Sequence, residues 1–217
     1  MKKLSIIFIL FFVQICFGQK KILFQEKEQT IFIDSSKNSD FFKRRKIYEF
    51  SRKFEDSLII DTLKSFKKVN NVRDFDLKNL PKKWLELFVY KGKYYTYYPC
   101  EFCGDVDNFE IENSVYFIYR CELLDIYKIN SFSKEKNIYT LKSSNKYINS
   151  TLKIYIINEK KGVAVFERNV SGEISYKLML DVTKINQYPM IVNDCKSKQS
   201  EFRDFEEPNF NKLLNQK

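Results

Sequence analysis

Cysteine is the residue type whose number and spacing point most directly to chemistry. Four cysteines follow the N-terminal segment: Cys100, Cys103, Cys121 and Cys195. The first two form a C-x-x-C pair, a spacing found in redox-active dithiols and in zinc sites. A redox pair would open a helix, whereas Pro99 before it and Gly104 after it indicate a loop between strands. A zinc site would need a second pair of ligands at a similar spacing, which the other two cysteines do not provide.

We therefore interpret the four cysteines as two structural disulfides, as an even number in an exported domain favours. Four cysteines allow three connectivities, and the sequence does not choose among them. A bond between Cys100 and Cys103 would close a very small loop and would restrain the unfolded chain little. Pairing each of them with a distant partner would stabilise the fold more.

The acidic run after the C-x-x-C pair supplies oxygen atoms that a calcium ion could use. Asp105, Asp107, Asn108 and Glu110 lie within six residues of one another. The EF-hand pattern fails because Phe109 stands where a ligand should be and no glycine follows. We expect an ordinary acidic loop here, within residues 99–112, and no metal site.

Histidine is absent from the whole sequence. Its absence excludes Ser-His-Asp and Cys-His catalysis, zinc sites with histidine ligands, and the usual general base at neutral pH. Paired carboxylates, which suffice for glycoside hydrolysis, are the remaining route to an enzyme, but they form no recognisable motif. We expect no cofactor, and we favour a binding protein over an enzyme.

Aromatic residues on one predicted hairpin are the candidate ligand-binding residues: Trp84, Tyr94, Tyr95, Tyr97 and Tyr98. Strand alternation puts Tyr94 and Tyr98 on one face and Tyr95 and Tyr97 on the other. Exposed tyrosines on a strand can stack against sugars or flat ligands, but tyrosine is also a good strand former that packs well in a core. We expect packing to account for at least one face, and Trp84 to plug one end of the core.

The N-terminus has the layout of a secretory signal peptide over residues 1–18. Lys2 and Lys3 precede an apolar run at 4–13, and Gly18 supplies a small residue at the predicted cleavage point. We therefore expect a secreted or periplasmic protein that has no transmembrane helix once the signal is removed.

A lipid anchor on Cys16 is the alternative interpretation of this N-terminus. Lipid attachment favours a small residue before the cysteine, and Ile15 stands there instead. We therefore favour the cleaved signal peptide.

The composition indicates one folded domain with a basic surface. Aromatic residues make up 17% of the chain, against only five glycines and four prolines, which excludes disorder for most of it. The formal net charge is +10, but the lysines are spread along the sequence. A nucleic-acid-binding protein would concentrate them on one element, so we expect no nucleic-acid partner.

The chain after the signal divides into two predicted parts. Residues 19–80 form a strand and helix segment packed on the main domain, with apolar residues at helical spacing between 41 and 69. Residues 81–217 form an antiparallel β domain with a polar C-terminal tail. Pro81 is expected to begin a short helical turn that carries Trp84.

From Phe88 onward the apolar residues alternate, which predicts an antiparallel meander of about eight strands. So many strands must hide their edges, and a closed barrel does this. The strand number and the length resemble the lipocalin class, which implies a barrel that holds a small ligand. The Gly-x-Trp motif of that family is absent, because Pro81, Lys82 and Lys83 precede Trp84, so no residue roles follow from the resemblance.

The fold class expected is therefore α+β but mostly β, with an N-terminal helical segment followed by the meander. The expected function is an exported binding protein, a carrier or sensor of a small apolar or aromatic ligand. The alternative is an envelope interaction protein that binds a surface glycan or a protein partner through a basic, tyrosine-bearing sheet face.

Overall fold

The computed structural model describes residues 20–43, 64–68, 72–77, 79–100, 106–120, 123–196 and 201–215. Several predictions lie outside these residues. They are the signal peptide at 1–18, the lipid-anchor alternative at Cys16, the positions of Cys103, Asp105 and Cys121, and most of the predicted helix between 41 and 69. Short helical stretches are present on either side of the last of these, at 40–43 and 64–68.

The described residues are mostly β-strand, as the sequence predicts. The strands are β1 (Lys21–Gln25), β2 (Gln29–Asp34), β3 (Lys83–Glu86), β4 (Phe88–Tyr90), β5 (Lys93–Tyr98), β6 (Asn108–Ile111), β7 (Val115–Arg120), β8 (Leu123–Glu135), β9 (Ile138–Ser144), β10 (Asn149–Asn158), β11 (Val163–Val170), β12 (Glu173–Asp181) and β13 (Met190–Cys195). A 3-10 helix, η1 (Val182–Gln187), follows β12, and a short helix, α1 (Phe210–Leu214), lies near the C-terminus. Among the described residues, no helix combines the length and the apolar character needed to cross a membrane.

Eight antiparallel strands close into a barrel, in the order β3-β6-β7-β8-β9-β10-β11-β12. Strands β6 to β12 form a continuous meander, and β3 closes the barrel by pairing with both β6 and β12. The tight turn between β11 and β12 uses positive φ angles at Ser171 and Gly172. The meander, its strand number and its closure are therefore confirmed.

A second sheet has five strands in the order β1-β2-β13-β5-β4. Its pairs are antiparallel except for β13 and β5, which run parallel. The tyrosine-bearing hairpin belongs to this sheet, and therefore not to the barrel. The sheet also takes strands from both sides of residue 80, so the boundary between the two predicted parts stays a prediction.

The packing joins the two sheets and the C-terminal tail. Barrel residues that point outward from β3, β11 and β12 pack against η1 and α1, and Leu85 and Leu178 are among them. Phe202 and Phe205 of the tail lie on one face of the second sheet, and Phe42 covers its other face. The tail is thus packed against the fold by its aromatic residues.

Two local predictions are wrong. The segment at Trp84 is a strand and not a helical turn, because Trp84 points into the barrel while Leu85 points outward, a period of two. The Trp84 indole N–H donates to the carbonyl of Pro81 at 2.7 Å. The residues from Asn108 to Ile111, expected to form a loop, are strand β6. There Phe109 and Ile111 alternate with polar neighbours and enter the barrel core.

Candidate ligand site at the open end of the barrel

The two ends of the barrel interior differ in chemistry. At one end, here called the closed end, Leu77, Leu80, Trp84 and Tyr139 are buried and fill the space between the strands. At the other, here called the open end, the inward-facing side chains include polar ones. They are Tyr116, Tyr127, Ser143, Ser150 and Arg168.

Strand alternation directs Arg168 toward the inside of the barrel. Ala164 and Phe166 of β11 belong to the interior cluster, and Arg168 follows them at the same parity. Tyr127 on β8 and Tyr116 on β7 reach the same end from the opposite wall, where both rings are buried. The meander therefore places one cation among tyrosine rings inside the barrel.

Arg168, Tyr127 and Tyr116 form a stack at the open end. The Arg168 Nη2 donates a hydrogen bond to the Tyr127 hydroxyl, and the guanidinium carbon lies 5.1 Å from the centre of the Tyr127 ring. The Tyr127 and Tyr116 rings are stacked, with centres 4.9 Å apart and planes 11° from parallel. The two tyrosines thus hold the guanidinium in one orientation.

The innermost layer of this end is a small hydroxyl network. The Tyr116 and Ser143 hydroxyls are 3.0 Å apart, and Tyr116 donates to Ser150 Oγ at 3.3 Å. Burial raises the pKa of Tyr116 above its ordinary value, so its ring stays neutral at physiological pH. The hydroxyls are satisfied within the protein and form a polar floor above the apolar interior.

Two concavities lie at this end of the barrel. A cleft of about 510 Å³, here called the mouth cleft, is lined by Tyr127 and Arg168 on its inner wall and by Asp125 and Glu173 beside them. A groove of about 680 Å³ runs along the rim and shares Tyr147 and Ile148 with the mouth cleft. The two therefore meet at the turn between β9 and β10.

Large apolar side chains border the mouth cleft although they are exposed. The Tyr147 side chain is 80% exposed and Ile174 is 54% exposed, and both line the cleft. Tyr147 comes from the turn between β9 and β10, and Ile174 from the first residues of β12. Exposed apolar groups around a concave polar site are typical of ligand-binding positions.

Lys177 is a second cation that points into the barrel, and it is already paired with carboxylates. Lys177 Nζ lies 2.9 Å from Glu86 Oε2 and 3.3 Å from Asp107 Oδ2. Burial lowers the pKa of Lys177, but the two carboxylates outweigh it, so the pKa lies above its ordinary value. Burial also raises the pKa of Glu86, and Lys177 opposes this only in part. This triad holds β3, β12 and the segment before β6 together.

Arg168 has no such partner among the described residues. None of the ion pairs formed within the described part of the chain involves Arg168. Its Nε is buried and donates to no acceptor there. Within the described residues, the guanidinium therefore has no ion pair and keeps an unused donor at the edge of the mouth cleft.

The aromatic residues proposed from the sequence lie elsewhere. Trp84, Tyr95 and Tyr97 are buried, with 1%, 7% and 3% of their surfaces exposed. Tyr94 and Tyr98 are half-buried and pack against different clusters. The two faces predicted for this strand are present, but neither concavity at the open end is lined by any of the five residues. Their role in ligand binding stays a prediction, and their burial favours packing.

Tyr97 is the centre of a buried polar network in the second sheet. Its hydroxyl donates to Glu201, and it accepts from the Phe202 backbone N–H at 3.1 Å and from Asn193 at 3.2 Å. Burial and the neighbouring Glu201 raise its pKa well above the ordinary value. This network fixes the start of the C-terminal tail against the sheet.

A disulfide joins Cys100 to Cys195 beside this network. The two Cα atoms are 5.5 Å apart, although the residues are separated by 95 positions in the sequence. A structural disulfide is thus present, and among the connectivities that the sequence left open it pairs Cys100 with a distant residue. Its sulfur is therefore not bonded to Cys103, so the C-x-x-C pair is not a disulfide here.

The acidic run considered for calcium is engaged in contacts within the fold. Asp107 pairs with Lys177, and the Glu110 carboxylate lies 3.4 Å from Lys83 and accepts from the Tyr119 hydroxyl at 3.0 Å. Within the described ranges, no three acidic or cysteine side chains converge as metal ligands.

Sequence reasoning missed Arg168, Tyr127 and Tyr147. The segment from Val163 to Phe166 is apolar on both faces, so its alternation does not reveal which residues point inward. An arginine in register with Ala164 and Phe166 is a signal that becomes readable only when the closed barrel defines an inside.

No protein-family model, no curated protein and no solved structure matches this chain.

Proposed function

We propose that this chain is an exported β-barrel binding protein that holds a small ligand in the mouth cleft. The observation that carries the proposal is the polar stack of Arg168, Tyr127 and Tyr116 at the end of an otherwise apolar interior. The stack faces a concavity bordered by exposed Tyr147 and Ile174. A concave site with a few fixed polar groups and apolar borders is the usual form of a small-molecule site.

The filling of the barrel supports the mouth over the centre as the place for a ligand. Phe166 is buried and lies 5.2 Å from Trp84 and 5.0 Å from Phe109, measured between ring centres. Leu141, Leu152 and Ile154 complete this part of the interior. Barrels of eight strands are narrow enough for side chains to fill them. A lipocalin-like role therefore fits this barrel best when the ligand sits at its open end.

The export part of the proposal rests on the N-terminus and on the disulfide. Lys2, Lys3 and the apolar run at 4–13 have the features of a signal peptide. The bond between Cys100 and Cys195 is of the kind that persists in oxidising compartments. The mass of the protein recovered from a cell-envelope or culture fraction tests this: we expect a chain that begins at Gln19.

The alternative function, a glycan- or protein-binding sheet face, receives less support. It relied on tyrosines exposed on one strand, and Tyr95 and Tyr97 are buried under the C-terminal tail. The exposed aromatic residue at the open end is Tyr147, which belongs to the barrel. We therefore do not develop this alternative.

Amide chemical-shift mapping with a panel of small aromatic fragments tests the binding site. We expect shifts to cluster on β8, β11 and the turns around the mouth cleft. Ser175→Phe, which adds a ring to an exposed cleft-lining residue, should abolish them. Ser133→Phe is the matched control, because Ser133 is also an exposed strand serine but lies away from the cleft. Shifts that survive Ser175→Phe, or that map to another surface, would contradict the proposed site.

A further inference from the structure

We propose, on the basis of the proposed function, that the ligand of the mouth cleft carries a single carboxylate that binds to Arg168 and an apolar body that lies against Tyr147 and Ile174. The charged and apolar side chains that line the mouth cleft define this chemical class of ligand.

The carboxylate follows from the state of Arg168. The side chain is half-buried, its Nη2 is held by Tyr127, and its Nε has no partner among the described residues. Removing a cation from water without a counter-charge is unfavourable. A ligand oxyanion compensates this charge, and the planar guanidinium matches the geometry of a carboxylate. The tyrosine stack fixes the guanidinium before the ligand arrives, which lowers the entropy cost of binding.

The limit to one negative charge follows from the other charged groups of the cleft. Asp125 and Glu173 line it together with Arg168. Lys177, the other inward-facing cation described above, is not among the cleft-lining residues and is paired with Glu86 and Asp107. A polyanion in the cleft would therefore approach two carboxylates beside Arg168. A ligand with a single negative charge thus fits the cleft better than an anionic polymer, although the protein as a whole is basic.

The apolar body follows from the border of the cleft. Tyr147 and Ile174 expose large apolar surfaces and line the same concavity. The Lys146 Nζ lies 5.2 Å from the centre of the Tyr147 ring. It contacts one face of the ring and leaves the other face for a ligand. A flat or aliphatic group that covers these side chains removes apolar area from water.

Binding of paired acid and amide probes to the unmodified protein tests the inference without any variant. The probes are phenylacetate and indole-3-acetate, each with its neutral amide, and inorganic phosphate. Saturation-transfer NMR and changes in Tm give the relative affinities. We expect each acid to bind at least about tenfold more tightly than its amide, because a charged hydrogen bond is lost in the amide. Phosphate, which lacks the apolar body, should bind more weakly than either acid.

Arg168→Gln sharpens the test. It should reduce the affinity for both acids by about tenfold or more and leave the affinity for the amides unchanged. Arg203→Gln is the matched control, because Arg203 is exposed on the C-terminal tail and away from the cleft. It should change neither. Trp84 fluorescence reports whether each variant keeps its barrel.

The outcomes separate this inference from the proposed function. Acids and amides that bind equally at the mouth cleft overturn the carboxylate inference and leave the binding function standing. Phosphate that binds more tightly than the acids overturns the single-charge assignment. No binding by any probe, together with no fragment shifts at the cleft, overturns both.

Discussion

The closed and open ends of this barrel are built from the same eight strands by different rules. At the closed end, Trp84, Leu80 and Leu77 exclude water, and Tyr139 directs its hydroxyl to the carbonyl of Asn79. At the open end, tyrosine rings, serines and Arg168 face a cleft. The first arrangement maximises the apolar area buried. The second leaves a buried donor unused.

Under the proposed function, this difference separates the residues that stabilise the barrel from those that would bind a ligand. A filled apolar end holds the barrel closed, so the opposite end is free to carry groups that contribute little to folding. Charges at the open end are of two kinds. Lys177 is paired with two carboxylates and connects strands, whereas Arg168 is oriented by Tyr127 but forms no ion pair with any described residue. We expect substitutions at the two ends to separate effects on folding from effects on binding.

Truncation at the closed side of the interior should have the largest effect on stability. Phe166→Ala removes a ring that is 1% exposed and contacts Trp84 and Phe109. We expect the free energy of unfolding to fall by about 3–5 kcal/mol because a cavity remains. Urea unfolding followed by the fluorescence of the single tryptophan measures it. Tyr147→Ala at the open rim is the control, with an expected change within about 0.5 kcal/mol. Equal losses for the two variants would contradict the division.

Removal of the disulfide should have the next largest effect. The bond joins the chain just after β5 to the end of β13, so it restrains the second sheet. Replacing both Cys100 and Cys195 by alanine should lower the free energy of unfolding by about 2–4 kcal/mol. Hydrogen exchange should speed up in β5, β6 and β13 more than in β9 and β10. Reduction of the unmodified protein should reproduce the change. Identical unfolding midpoints with and without reductant would show that this bond does not restrain the fold.

Replacing Lys177 should lower the free energy of unfolding by less than Phe166→Ala or the loss of the disulfide. Lys177→Met leaves Glu86 and Asp107 as partly buried carboxylates without a counter-ion. A fully buried pair broken in this way costs about 3–5 kcal/mol, and the partial exposure of Lys177 should reduce this to about 2 kcal/mol. Lys153→Met is the matched control, because its pair with Glu167 lies nearer the surface and should be worth under about 1 kcal/mol.

The loss of stability in Lys177→Met should change with pH in a direction that the pKa of Glu86 sets. Burial raises the pKa of Glu86, so stability from this group is present below the pKa of the unfolded chain and is lost as pH rises through the folded value. The deficit of the Lys177→Met protein should therefore be largest near neutral pH and should shrink as pH falls toward 4.5 and Glu86 takes up a proton. Urea titrations at several pH values measure it. A deficit that grows as the pH falls would mean that Glu86 is not the group left uncompensated.

The sequence predicted the barrel better than it predicted the site. Alternation between Ser114 and Asp181 is strong enough to place six consecutive strands, and closure follows because exposed edges are unfavourable. Strand β3 was missed because Pro81 suggested a helix start. Strand β6 was missed because its acidic residues looked like a loop. Both strands close the barrel, so their contacts are long-range.

The site could not be predicted because it depends on which residues of each strand point into the closed barrel. Arg168 and Tyr127 are separated by 41 positions and meet only when β8 and β11 face each other across the interior. The tyrosine run from Tyr94 to Tyr98 attracted attention by its density. Its position in the second sheet is set by the parallel pairing with β13, which local patterns do not encode.

The smallest effects should come from two tyrosine hydroxyls, one at each end. Tyr116→Phe removes the contacts with Ser143 and Ser150 at the open end, and Tyr139→Phe removes the contact with the carbonyl of Asn79 at the closed end. Each should cost about 1 kcal/mol in urea unfolding. Ser143 keeps its bond to the Ser150 carbonyl, so the open end should lose no more than the closed end.

Binding should distinguish these two variants where stability does not. Tyr116 stacks against Tyr127, which orients Arg168, and its hydroxyl anchors that stack to β9 and β10. Freed from Ser143, the ring can shift, so Tyr116→Phe should weaken phenylacetate binding by about two- to fivefold, while Tyr139→Phe should leave it unchanged. Equal affinities in both variants would mean that the stack orients Arg168 through ring contacts alone. A loss in Tyr139→Phe as large as that in Tyr116→Phe would mean that the two ends are coupled through the apolar interior.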